Sequence, residues 1–89
     1  MSFSIVLHSM GASGAPKILL KLLLAPARAK DLVEVSGVSE PTTFTRISGL
    51  KKAGLLRETL IAEDGRTFKG YELTDKARLI LEHMNLHQL

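Results

Sequence analysis

Thr42, Thr45, Arg46 and Gly49 share one side of the segment from Glu40 to Ala53 when it is wound as a helix. Short hydroxyls, one long cation and a position with no side chain form a surface that can lie against nucleic acid. Arg46 can donate two hydrogen bonds to guanine O6 and N7, while Thr42, Thr43 and Thr45 can meet bases, thymine methyls or phosphates. Gly49 would let a DNA backbone approach closely. Lys51 and Lys52, with Arg28 or Lys30, can pair with phosphates, which gives affinity without sequence choice. Arg66 and Lys69 can reach a neighbouring minor groove or backbone. Ser39 and Pro41, at the helix start, complete the candidate DNA-binding set. The competing reading is that these cations form only a solvated surface, and Glu63 and Asp64 next to Arg66 would repel phosphate.

Other chemistries find fewer residues. His83 and His87 are four apart, so on a helix both can point at one ion, with His8 or Glu82 able to complete a shell. Equally, they are polar residues near a chain end, since two ligands do not make a site. No cofactor is expected. There is no Cys nucleophile, and no Ser or Thr has a His close in sequence. Asp31 with Glu34 reads as a helix-surface pair and Glu63 with Asp64 as part of a turn, so an enzyme is not expected. Tyr71 and Phe68 could stack on single-stranded bases, but at strand spacing they read as wing and core packing. Phe3 and Phe44 are core or interface candidates.

The elements that must carry these residues can be read from pattern. Ser39 can cap a helix beginning at Glu40, with Pro41 tolerated in its first turn. Phe44, Ile47 and Leu50 have the spacing of its apolar face, and Gly54 follows a last turn holding Lys51 and Lys52. Upstream, Ala29 to Ser36 reads as a short helix with Leu32, Val33 and Val35 as core candidates. Gly37 makes the turn, and Val38 plugs it. Ala15 to Ala25 reads as a first helix, apolar nearly all round, which predicts burial against a second chain. Pro26 to Arg28 reads as a break. Phe3, Ile5 and Leu7 alternate as in a strand, and Gly11, Ser13 and Gly14 form a joint. Downstream, Leu55 to Ala62 and Thr67 to Leu73 are strand-like around Asp64-Gly65, a two-residue hairpin signal. That turn sets Ile61 opposite Phe68, Arg57 opposite Glu72 and Leu56 opposite Leu73. Thr74 caps a last helix from Asp75 to about His87. One of its stripes is Ala77, Ile80, Leu81 and Met84, and the other is Leu79 and Leu86.

At 89 residues the chain is one domain, with a thin core, yet 45% of it is apolar. The excess is a second reason to expect a dimer. A formal charge of +3 permits a nucleic-acid partner without requiring one. The lack of Cys fits a reducing compartment, and the single Asn85 and single Gln88 fit a thermophile. Neither Phe3 to Met10 nor Ile18 to Ala25 is long enough to span a membrane, so no membrane partner and a cytoplasmic location are expected.

The order helix, helix, turn, helix, hairpin, helix is that of a winged helix–turn–helix, mainly α with a small β-hairpin wing (α+β). The run S-G-V-S-E-P-T-T-F-T-R-I-S-G-L-K-K-A-G-L-L resembles the recognition unit of MarR-, ArsR- and PadR-type bacterial and archaeal transcription regulators. G-R-T-F-K-G-Y-E-L-T-D-K-A-R-L-I-L resembles their wing return strand and last helix. The resemblance covers roughly residues 15 to 84. There are departures. Ala29 stands where Ser or Thr often caps the second helix, which predicts a loose start. Ala77 replaces a common Gly, and the flanking helices are short for the MarR type, so no subfamily is assigned. Outside the resemblance, residues 1–14 read as an N-terminal segment, a candidate strand and dimer contact. The resemblance implies residues 15–89 as the winged domain with a C-terminal dimerisation helix. It further implies a homodimeric regulator binding double-stranded DNA in sequence-specific fashion, with helix 40–53 in the major groove. Two alternatives stand beside it: a winged-helix protein–protein interaction module without DNA, and a regulator responding to a metal or ligand, since some ArsR-type sensors hold metal on a C-terminal helix.

Overall fold

The computed structural model describes residues 14–88. The expected strand through Phe3, Ile5 and Leu7, the joint at Gly11 and Ser13, and His8 lie outside the described residues. So do the side chains of residues 84 to 88.

Helix α1 (Ala15–Leu24) starts from Gly14, at φ +84°, with Pro16 in its first turn. Ala15, Ile18, Leu19 and Leu22 are buried, while Leu20 and Leu24 are 59% and 85% exposed. Among the described residues, one side of α1 is therefore covered and the other left open. Pro26 does end the helix, but the residues after it are more than a break. Ala27–Arg28 form a short strand, β1. A residue before proline is pushed toward extended backbone, and Ala25 has φ −170° and ψ 159°. The chain thus leaves α1 already in strand conformation.

Helix α2 (Ala29–Ser36) has a defined start despite Ala29. The Arg28 N–H donates to the Asp31 carboxylate at 3.3 Å, so an acid in the first turn does the work expected of a capping hydroxyl. The guanidinium of Arg28 has no acceptor, so only this half of a capping box forms. Leu32 is fully buried, while Val33 and Val35 are half-buried. Helix α3 (Glu40–Lys52) begins as expected: Ser39 Oγ accepts from the Thr42 N–H at 3.3 Å. Its end is held by the Leu55 N–H donating to Leu50 O at 2.9 Å and the Gly54 N–H to Lys51 O at 3.0 Å, with Gly54 at φ +78°. This is the Schellman arrangement, and Leu50 and Leu55 bury its apolar contact.

Strands β2 (Leu56–Glu63) and β3 (Arg66–Leu73) pair through Asp64 and Gly65, both at positive φ. The register is the one expected, including Leu56–Leu73, Arg57–Glu72 and Ile61–Phe68. β1 pairs on the other side of β3, Ala27 with Tyr71 and Arg28 with Gly70, so the sheet order is β1-β3-β2. Helix α4 (Asp75–Gln88) is capped by Thr74, whose Oγ1 accepts from the Ala77 N–H at 3.2 Å. Ala77 and Leu81 are buried, Ile80 half-buried and Leu79 68% exposed.

Alternation along the strands gives the sheet two distinct faces. On the front, Leu56, Tyr71 and Leu73 are buried with Ile18, Leu22, Leu32, Ile47 and Leu50 in one core. Toward the tip the same face carries Glu58, Leu60 and Lys69. The back carries Arg57, Thr59, Ile61, Glu63, Arg66, Phe68, Gly70 and Glu72, joined by Arg28. Gly70 is a close approach. A Cβ there would strike the Ile61 side chain and come within 2.9 Å of Ala27 O.

Candidate nucleic-acid interface

The orientation of α3 differs by one residue from the expected one. Its buried side is Thr43, Ile47 and Leu50; Phe44 is 40% exposed. Thr43 is therefore corrected from a DNA-facing candidate to a core residue, and Phe44 moves from core to surface. A hydroxyl can be buried when it is bonded, and this one is. Thr43 Oγ1 donates to Ser39 O at 2.9 Å and lies 2.8 Å from Ser36 Oγ. Ser36 in turn accepts from the Val38 N–H at 3.3 Å. This buried pair joins the end of α2 to the first turns of α3 and sets the angle at which α3 leaves the fold.

With that side inward, the outward stripe of α3 holds Pro41, Thr45, Ser48, Gly49 and Lys52, all exposed. Thr42 and Arg46, half-buried, flank one edge; Phe44 and Lys51 flank the other. No neighbouring atom lies within 4 Å of a Cβ built on Gly49, so that position is open. Ser39 Oγ donates to Thr42 Oγ1 at 2.9 Å, which leaves the Thr42 hydroxyl proton directed elsewhere. Thr45 Oγ1 donates to Pro41 O at 3.1 Å, so its lone pairs face outward as acceptors.

The basic candidates divide between the two faces of the wing. On the front, Lys51 and Lys69 both bond Glu58 Oε1, at 3.0 and 2.9 Å. Hydrogen bonding from Lys69, then from Lys51, holds the Glu58 carboxyl below its usual range, and Glu58 in turn raises the Lys69 ammonium. On the back, the Arg28 guanidinium lies 3.6 Å from the centre of the Phe68 ring and 3.6 Å from Glu63 Oε2. Arg28, Lys30, Glu63, Asp64, Arg66 and Phe68 line an open cleft of about 340 Å³ there. Phe68 thus serves packing, as its strand spacing implied. Glu72, lower on the same face, is held below its usual range by a hydrogen bond from Thr59 and then by Arg57, 3.3 Å away.

Sequence reasoning had no part for Glu58. One signal was available: the hairpin register places it diagonal to Lys69, a distance long side chains span. Its contact with Lys51 needs the tertiary fold. As for metal, His83 is exposed on α4 and the His87 side chain lies outside the described residues. Among the described residues no three His, Asp or Glu side chains are grouped to hold an ion. No helix among them is long and apolar enough to cross a membrane.

Neither a protein-family profile nor a curated protein sequence matches the chain. Solved structures do. The reduced form of the transcriptional regulator YodB from B. subtilis is 19% identical with a TM-score of 0.79, covering 99% of this chain and 88% of that one. A protein assigned to the MarR family of transcriptional regulators, from Enterococcus faecalis, is 16% identical with a TM-score of 0.77, covering 92% and 74%. A homodimeric winged helix–turn–helix DNA-binding domain from Mycobacterium bovis, described as a possible ArsR-family regulator, is 18% identical with a TM-score of 0.71, covering 96% and 77%. At these identities the likeness concerns architecture. Together with the helix order and the hairpin, it makes this chain a winged helix–turn–helix, with MarR- and ArsR-family transcriptional regulators among its structural neighbours.

Proposed function

We propose that this protein is a homodimeric transcription regulator that binds double-stranded DNA in sequence-specific fashion, with α3 in the major groove. The observation that carries the reading is the uncovered stripe of α3, where Thr45, Ser48, Gly49 and Lys52 are exposed opposite a side committed to the core. Thr42 and Arg46 at its edge supply the hydroxyl and the two-pronged donor that base edges require. Ser39, Pro41 and Lys52 lie against phosphates, and Arg66 and Lys30 meet the flanking backbone from the wing side. Structural neighbours that are transcriptional regulators support the same reading.

The dimer forms through the open side of α1, where Leu20 and Leu24 are four residues apart, and through Leu79 of α4. Such a dimer sets its two α3 helices on one face, about 34 Å apart, and reads a pseudo-palindrome. The protein works in the cytoplasm, where its DNA is.

The test is a fluorescence titration with random-sequence duplex at low and high salt, followed by selection of a preferred site. Arg46→Ala should lose about 1–3 kcal/mol on the preferred site and much less on random duplex. An equal loss on both would remove the base contact. No binding at low salt would reject the reading in favour of a protein-interaction module.

A further inference from the structure

The front of the wing holds one acid among its cation and its neutral residues. Alongside Leu56, Leu60, Ala62, Thr67, Lys69, Tyr71 and Leu73 on that face, the acid is Glu58. We propose that Glu58 is a built-in brake on duplex binding, holding Lys51 and Lys69 away from phosphate so that the protein binds below the affinity its cations allow. The inference rests on the DNA-binding reading above and names a residue that tunes it.

The geometry is specific. Lys51 comes from the last turn of α3 and Lys69 from β3, and one carboxylate oxygen takes both, at 3.0 and 2.9 Å. Glu58 therefore sits in the corner between α3 and the wing, which a duplex touching both elements must enter. A phosphate arriving there must compete with the carboxylate for the same ammonium donors, and the attraction of the two lysines is reduced by that carboxylate well inside the screening length of about 8–10 Å. The remaining front-face residues near the tip, Leu60, Ala62 and Thr67, are neutral and cannot offset it. Glu58 is solvent-exposed and more acidic than an ordinary glutamate, so it stays ionised at neutral pH. On the back of the wing, Glu72 bears the same charge against Arg57 and Thr59 but lies away from α3. It supplies an internal control of equal formal charge.

The experiment is anisotropy titration of random-sequence duplex across a salt series with wild type, Glu58→Gln and Glu72→Gln. Glu58→Gln should bind about 3–10-fold tighter near 0.1 M salt, and its plot of log affinity against log salt should steepen by about one to two. Glu58→Thr, which keeps a strand-favouring side chain, should show the same gain, and Glu72→Gln should change affinity less than about twofold. In a Lys51→Ala, Lys69→Ala background the gain from Glu58→Gln should shrink to that of Glu72→Gln. Equal gains in the two single variants would mean that only net charge matters and would overturn the brake. Wild-type binding with no gain in Glu58→Gln would overturn the brake alone. Failure of wild type and Glu58→Gln alike to bind at low salt would overturn the brake and the DNA reading together.

Discussion

On the back of the wing, Arg28 lies over Phe68 and reaches Glu63, and Gly70 lets the Ile61 side chain and β1 close in; on the front, Lys51 and Lys69 share Glu58 beside the open stripe of α3. Both faces carry cations paired with acids. The back commits Arg28 to packing: a guanidinium on a ring is held by dispersion and ring charge as well as by the carboxylate. The front holds its lysines by exposed ion pairs alone, which salt or a competing anion can displace. Net charge therefore says little about binding here, because cations of equal formal value differ in how readily a duplex could recruit them.

Breaking each face in turn gives graded outcomes. The largest effect belongs to the back. Gly70→Ala must push against Ala27 O and Ile61 and should cost about 1–3 kcal/mol in urea unfolding. Leu60→Ala on the front, where the side chain is 73% exposed, should stay within about 0.5 kcal/mol. Equal losses would erase the distinction between the faces. A middle effect separates packing from phosphate contact. Arg28→Ala should lower stability by about 0.5–1 kcal/mol and leave the salt dependence of duplex binding unchanged. Lys52→Ala should do the reverse, flattening the salt slope by about 0.9 with stability intact. The smallest effect is in pH. Glu58 and Glu72 are both more acidic in the fold than unfolded, so each adds stability that is complete above the ordinary glutamate value of 4.5 and disappears as pH falls through the lower folded value. Denaturation midpoints measured from pH 6 to pH 3 should fall, and Glu72→Gln should make the fall shallower. An unchanged slope would show that its bonds to Thr59 and Arg57 carry no linkage.

Most of the fold was legible because its punctuation is chemical. Asp64-Gly65 defines the whole hairpin register, since both residues accept positive φ and the strand period of two does the rest. Ser39, Gly54 and Thr74 mark helix ends through bonds their types are suited to make. The misreadings have a common cause in burial that polarity hides. Thr43 and Phe44 are adjacent, and an apolar-spacing rule prefers Phe44 for the interior. The buried bond between Ser36 and Thr43 decides otherwise, and no local pattern announces a hydroxyl seven residues away as its partner. β1 was missed for another reason. Two residues after a proline carry no period, and only the free edge of β3 makes them a strand. At the candidate site, residue types were readable on α3, whereas the partners of Lys51, Lys69 and Arg28 depend on tertiary contacts.

The two-residue ladder of β1 on β3 has a mechanical consequence. It anchors the hairpin to the start of α2, while the Ser36–Thr43 bond anchors α2 to α3, so α3 and the wing are braced as one body. A ligand that must touch both has to supply the matching curvature itself. Stiff and pliant stretches of duplex would then be told apart at base pairs no side chain reaches.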